Sequence, residues 1–98
     1  MNIQAMMKQA QKLQSDMMKV KDEIDKMEFT GNNGLVTVRV NGKKEVLDVK
    51  ITNDSDFSSD DLEMLQDMIV IATNEAMKQV DNVTEEKMGR FSSIPGLF

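Results

Sequence analysis

Four lysines are spaced so that they would lie on one side of an α-helix. Lys8, Lys12, Lys19 and Lys26 fall within roughly 40° of one another when each residue turns the helix by about 100°. A row of ammonium groups could neutralise successive phosphates of a nucleic acid, or could simply be the solvated face of a helix. Acidic residues flank Lys26 and weaken the row there, so the phosphate-binding hypothesis depends on the first three lysines.

Enzymatic and metal chemistry have little basis in this sequence. The 98 residues include no Cys and no His, which excludes disulfides, thiol nucleophiles and imidazole bases. The aspartate-rich segment 53–61 resembles a calcium loop only superficially, because Ser59 and Leu65 stand where such a loop needs Gly and Glu. We therefore expect neither an enzyme nor a metal or cofactor site.

Length and composition predict one soluble domain. A chain of 11.1 kDa with 40% hydrophobic and 30% charged residues has the composition of a globular protein. Such a short chain buries only about 60% of its surface, so a partner subunit would help to stabilise it. No apolar run is long enough for a transmembrane helix and no secretion signal precedes the domain, which predicts a cytoplasmic protein. We expect the domain over 1–90 and a flexible apolar tail over 91–98.

Charge is distributed unevenly along the chain. The net charge is −5, yet residues 51–86 alone hold ten acidic residues and one lysine, so the first half is mildly basic. A negative protein with no Trp and no dense basic face would be repelled by anionic lipids, so no membrane partner is expected.

Apolar residues in the first 28 positions recur at alternating spacings of three and four. This heptad pattern, without Gly or Pro, predicts one long helix. A strict seven-residue repeat implies a supercoil with another helix, either the second helix of the chain or a second copy. The residues of this heptad seam are Ile3, Met6, Ala10, Leu13, Met17, Val20, Ile24 and Met27.

Alternating apolar residues on both sides of Asn41-Gly42 predict a β-hairpin. Asn-Gly favours a two-residue type I′ turn, and Val36, Val38 and Val40 then share one face. That register would place Glu45 beside the valines, so a bulge or a shifted register is an alternative. A short strand at 28–30 would complete a three-stranded antiparallel meander.

A second helix is predicted over about 60–87, with Ser58 or Ser59 as its N-cap. Its middle is apolar on nearly every side, and such a segment must be covered by the sheet, the first helix and a second subunit. The predicted fold is α+β, forming an intertwined or sheet-joined homodimer. The predicted dimer interface consists of Leu62, Leu65, Met68, Ile69 and Ala72.

Several motifs in this order resemble a known family. They are Met6-Met7-Lys8-Gln9-Ala10-Gln11-Lys12-Leu13-Gln14, then Gly34-Leu35-Val36-x-Val38-x-Val40-Asn41-Gly42, then Ala72-x-Asn74-x-Ala76, and finally Pro95-Gly96-Leu97-Phe98. The chain resembles the YbaB/EbfC family of bacterial nucleoid-associated proteins. The resemblance implies a homodimer with projecting helical arms that binds double-stranded DNA at the nucleoid and affects nucleoid organisation or gene expression. Carried onto this sequence, it implies DNA-binding residues Lys8, Lys12, Lys19, Lys78, Lys87 and Arg90.

Two functions remain in competition. Lysines act as point charges, and the chain has few residues that read base edges, so DNA binding would have low sequence specificity. The acidic segment 51–86 and the apolar tail would instead suit an adaptor that captures a basic replication or recombination protein.

Overall fold

The fold is α+β, with a long N-terminal helix, a three-stranded antiparallel sheet and a long C-terminal helix in chain order, as predicted. A computed structural model describes residues 2–52 and 58–91. The helices are α1 (Ile3–Asp25) and α2 (Leu62–Met88), and the strands are β1 (Glu28–Asn33), β2 (Val36–Asn41) and β3 (Val46–Ile51), with short 3-10 turns at Ser59–Asp61 and Gly89–Phe91. The molecule is elongated, with extents of 72 × 18 × 14 Å.

Helix α1 begins at a side-chain cap. The Asn2 Oδ1 atom accepts a hydrogen bond from the Ala5 amide at 3.2 Å, which satisfies one of the free donors of the first turn. The helix ends at Asp25, slightly earlier than the heptad pattern suggests, because the chain enters β1 at Glu28. Met27 therefore packs against the sheet core and does not extend the helix.

The sheet has one buried and one polar face. Val36, Val38 and Val40 are completely buried and, together with Phe29, form the core under α2. On the opposite face, Arg39 is ion-paired with Glu28 across β1 and β2. The alternation of apolar and polar residues therefore identified the two faces of β2 correctly.

The hairpin turn differs from the predicted type I′ geometry. The Asn41 amide donates to the Glu45 carbonyl at 3.0 Å, which closes a three-residue loop, and the Lys44 amide donates to the Asn41 carbonyl at 3.0 Å. Lys44, at φ 64°, adopts the left-handed conformation that Gly42 was expected to adopt. Gly42 instead packs against α1, where an added Cβ would lie 1.7 Å from the Ile24 carbonyl oxygen. Close packing, and not a positive φ, is what requires glycine here.

A β-bulge sets the register of β3. Arg39 pairs with Asp48 and Val40 pairs with Val46, so Leu47 is an extra residue between them. The bulge brings Val46, Val49 and Ile51 to the face of the β2 valines and leaves Glu45 in the loop. Of the alternatives left open by the sequence, the bulge is the one that the structure contains.

Helix α2 packs mainly on β1 and β2 and leaves β3 largely uncovered. A 3-10 turn over Ser59–Asp61 precedes it, so the α-helix itself starts at Leu62, two residues after the predicted start. Ser58 is the cap: its hydroxyl accepts from the Asp60 amide, and the Asp61 carboxylate accepts from the Ser58 amide at 2.9 Å. Ser58, one of the two predicted caps, therefore caps the turn that leads into α2, whereas Asp61 precedes the helix proper without a side-chain cap hydrogen bond.

Beyond the sheet, the end of α2 packs against the second half of α1. Ile24, Met88 and Phe91 are buried together, and Met17 and Val20 pack against them. Phe91, expected as the first residue of a flexible tail, is 1% exposed and belongs to the folded domain. The remainder of that predicted tail, residues 92–98, lies outside the described residues.

Candidate nucleic-acid interface

The first half of α1 projects from the rest of the chain. Every residue from 3 to 12 is exposed, whereas the contacts with α2 and the following turn involve Met17, Val20 and Ile24. Lys8, Lys12 and Lys19 lie roughly 140° around the helix from this contact face. At about 1.5 Å per residue, the row extends for about 16 Å along the helix axis. The structure thus brings these three predicted residues together on an accessible face.

Ion pairing separates these three lysines from their neighbours. Lys26 pairs with Asp22 at 3.2 Å and Lys21 pairs with Asp25 at 3.5 Å, both one helical turn apart. Within the ranges 2–52 and 58–91, no carboxylate forms an ion pair with the side chains of the row. The positive charge of the row is therefore available to an external anion, while that of Lys26 is partly neutralised. We call Lys8, Lys12 and Lys19 the lysine row.

The three other predicted DNA-binding residues do not continue this surface. Lys78 and Lys87 are exposed on α2, but they are nine residues apart and so point to opposite sides of the helix. The Arg90 guanidinium lies over the Phe91 ring, 4.4 Å from its centroid, near the junction of the two helices. The six predicted residues therefore form one row on α1 and three separate positions near the end of α2.

Two further lysines approach each other at the base of the α1 arm. Lys21 and Lys43 line a cleft of about 390 Å³ between the end of α1, the hairpin loop and the last turns of α2. No sequence pattern indicates this pair, because the two residues are brought together only when Gly42 packs on the end of α1.

The predicted dimer-interface residues differ in how far their own chain buries them. Leu62 is exposed, whereas Leu65, Met68 and Ile69 are partly buried against the core of their own chain. Ala72 is completely buried, and its carbonyl lies against Gly31 of β1. Ala72 therefore offers no surface to a partner.

Other apolar side chains remain exposed on the same part of the molecule. Those on α2 belong to the segment predicted to be apolar on nearly every side, whereas the exposure of those on β3 could not be predicted, because periodicity identifies an apolar face but not whether a second element covers it. They are Val46, Leu47, Val49 and Ile51 on β3 and Met64, Val70 and Ile71 on α2.

Clusters of metal-ligating side chains and membrane-spanning helices are both absent from residues 2–52 and 58–91. There, no three carboxylates lie close enough together to hold a metal ion. The described helices also include none that is long and apolar enough to cross a membrane.

Comparison with known proteins agrees with the arrangement of α1, sheet and α2. A nucleoid-associated protein of Clostridium novyi is 45% identical over 103 aligned positions, which cover 100% of this chain and 90% of that protein. A nucleoid-associated protein of Oceanobacillus iheyensis is 44% identical over 102 aligned positions, which cover 99% of this chain and 97% of that protein. Nucleoid-associated protein YaaK of Bacillus subtilis is 48% identical over 74% of this chain and 69% of its own length.

A solved structure gives the same fold at lower sequence similarity. The crystal structure of an uncharacterized protein from Helicobacter pylori superposes with a TM-score of 0.76 at 18% identity, covering 93% of this chain and 97% of that one. The model of the YbaB/EbfC DNA-binding family matches residues 1–94. The chain therefore belongs to the YbaB/EbfC DNA-binding family.

Proposed function

We propose that this protein is a nucleoid-associated protein that binds duplex DNA through the lysine row. The observation that carries the proposal is the row itself: three lysines without ion-pair partners among the described residues, on the exposed face of a projecting helix. The family and the names of the relatives support DNA as the ligand and the nucleoid as the location.

The geometry of the row suits the DNA backbone. Each DNA strand presents a phosphate about every 3.4 Å along the duplex axis, so a row of about 16 Å passes roughly five phosphates of one strand. Lysine ammonium groups contact phosphates without reading base edges. Binding should therefore depend strongly on salt and weakly on sequence. The acidic body, which gives the chain its net charge of −5, would be held away from the DNA by the projecting arm.

We further propose that the protein acts as a homodimer whose sheets join through β3. This strand is an edge strand, and its apolar side chains Val46, Val49 and Ile51 continue the buried valine face of β2 without cover from α2. Exposed strand edges with apolar side chains favour pairing with another chain. Leu62, with the exposed apolar residues of the first half of α2, would extend this interface. Sedimentation at micromolar concentration should give twice the mass of the chain.

A salt titration tests the DNA-binding proposal. We expect a fluorescent duplex of about 30 base pairs to be bound saturably, with the logarithm of affinity falling linearly with the logarithm of salt concentration. Duplexes of equal length and different sequence should give closely similar affinities and slopes. Absence of binding at low salt, or a large preference for one sequence, would contradict the proposal.

One observation favours a second function. Glu63, Asp67, Glu75, Glu85 and Glu86 are all exposed along α2, so its surface could attract a basic protein that itself processes DNA. Under this adaptor function the lysine row would be a solvated face only. The salt titration distinguishes the two functions, because the adaptor would bind no duplex by itself.

A further inference from the structure

The projecting half of α1 exposes an apolar stripe as well as the lysine row. Ile3, Met6, Ala10 and Leu13, which we call the front seam, precede the part of the heptad seam that packs against α2. Ile3 is 69% exposed and Met6 is 54% exposed. Most helical stability in proteins comes from tertiary packing of an apolar face, which these first turns of α1 lack, so they are the part of the helix most prone to fray. A segment that covered the front seam would bury this apolar surface and stabilise the arm.

The end of the described chain leads to this seam. Thr84 and Met88 of α2 line the same cleft as Lys21 and Ile24 of α1, so the ends of the two helices lie side by side here. A 3-10 helix over Gly89–Phe91 continues α2, and Phe91 is buried in the cluster against which Met17 and Val20 pack. Residue 91 therefore already lies on the seam side of α1, next to the uncovered residues.

The residues after Phe91 have the length and the composition to continue along the helix. Ser92-Ser93-Ile94-Pro95-Gly96-Leu97-Phe98 carries no charged side chain and three large apolar ones. Seven extended residues reach about 23 Å, whereas the helix axis from Met17 to Ile3 spans about 21 Å. Pro95 favours an extended backbone and supplies no amide that would need a partner. The small side chain of Ala10 would leave room between Met6 and Leu13 for a larger residue.

We propose that residues 92–98 dock along the front seam of α1 in the same chain and complete the helical arm. The docked segment would bury apolar surface on both sides of the contact and so oppose fraying of the first turns. The lysine row lies on the opposite face of the same helix, so it would remain open to solvent. Docking would thereby hold the three lysines at a fixed spacing. This last consequence rests on the proposed DNA binding, whereas the docking itself does not.

Amide hydrogen exchange in the full-length protein tests the docking. With Leu97→Asp and Phe98→Asp combined, we expect amides of residues 3–13 to exchange about tenfold faster or more, while amides of β2 keep their protection. The matched control combines Ser92→Asp and Ser93→Asp, which adds the same charge to the segment without removing apolar side chains. The control should exchange like the unchanged protein. Equal exchange in all three proteins, or equal acceleration in both variants, would overturn the proposal.

A cysteine pair identifies which copy provides the docked segment. The chain has no Cys, so Met6→Cys with Leu97→Cys creates the sole pair available for oxidation by diamide. We expect a crosslink within one chain, formed much faster than in a chain carrying Lys8→Cys with Leu97→Cys, because Lys8 lies on the other side of α1. Equal rates for the two pairs would overturn the docking. Crosslinks formed mainly between chains would overturn docking within one chain and would show that residues 92–98 of a second copy cover the front seam.

The two proposals can fail independently. A protein with all three residues of the lysine row changed to Ala should lose DNA affinity yet keep the slow exchange of residues 3–13. Loss of that protection in the lysine variant would show that the row, and not the apolar segment, stabilises the arm, and would count against docking.

Discussion

A Cβ atom placed on Gly31 would lie 2.0 Å from the carbonyl oxygen of Ala72, so β1 and α2 are in direct backbone contact at this point. The same added atom would also lie 2.8 Å from the Ala76 amide nitrogen. Small residues on both elements allow α2 to lie close enough to seal the valine face of the sheet.

Gly31→Ala should therefore destabilise the protein strongly. The clash involves helix backbone, which cannot yield as a flexible side chain can, so we expect a loss of about 3 kcal/mol, at the upper end of typical overpacking penalties. Urea denaturation followed by circular dichroism measures the free energy of unfolding.

Gly89→Ala is the matched control for this substitution. No atom lies within 4 Å of an added Cβ there, and the backbone is in the right-handed helical region. Its free energy of unfolding should stay equal or rise by about 0.5 kcal/mol. A similar loss in both variants would mean that the contact between β1 and α2 is not the cause.

Phe91→Ala should separate the ends of the two helices. Phe91 is 1% exposed against Ile24 and Met88, and truncation of a buried Phe typically costs about 3–5 kcal/mol. We expect the free energy of unfolding to fall by an amount near the lower value, because this cluster is small. The largest increase in amide exchange should occur in residues 17–25.

Met18→Ala is the control, on an α1 side chain that is 61% exposed, and it should change stability by less than about 0.5 kcal/mol. Unchanged amide exchange in residues 17–25 would mean that Phe91 does not stabilise the end of α1 and belongs to a flexible tail.

Periodicity predicted most of the fold because burial repeats along each element. The heptad spacing predicted α1, the alternation of Val36, Val38 and Val40 predicted β2, and Ser58 predicted the capped turn that leads into α2. Each of these signals arises from contacts within a few residues or from one buried face. Local patterns of this kind are visible without knowledge of the partner element.

Contacts between elements were beyond the reach of the same patterns. Asn41-Gly42 predicted a turn of the wrong type because Gly42 is required by its packing against Ile24, 18 residues earlier. Ala72 fitted an apolar face that a partner could cover, but Gly31 of the same chain covers it. The lysine row could be predicted because one helix positions all three residues, whereas the approach of Lys21 to Lys43 requires the folded hairpin.

Ile51→Asp should break the proposed homodimer without unfolding the chain. Ile51 is 42% exposed on β3 in the single chain, so a carboxylate there would still reach water, whereas it would be buried between two joined sheets. Sedimentation equilibrium should show a monomer at concentrations where the unchanged protein is a dimer. Lys50→Ala, on the opposite face of the same strand, should leave the dimer intact. A dimer in both variants would place the interface away from this face of β3.

Changing Lys8, Lys12 and Lys19 together to Ala should weaken binding to all duplexes alike. If each lysine neutralises one phosphate, the slope of log affinity against log salt should decrease in magnitude by about 2.7 per chain, with an affinity loss of about tenfold or more at low salt. The same anisotropy titration measures both quantities on two duplexes of different sequence.

A control with the same change in net charge isolates the position of the row from the total charge. Lys21, Lys26 and Lys44 pair with Asp25, Asp22 and Asp81, the last at 2.5 Å, and changing these three to Ala removes the same formal charge. Because carboxylates already neutralise much of their field, the salt slope of this control should change by less than one. Equal effects of the two triple substitutions would mean that overall charge governs DNA binding. A loss confined to one duplex sequence would mean that the row reads bases, which lysines on a phosphate backbone cannot do.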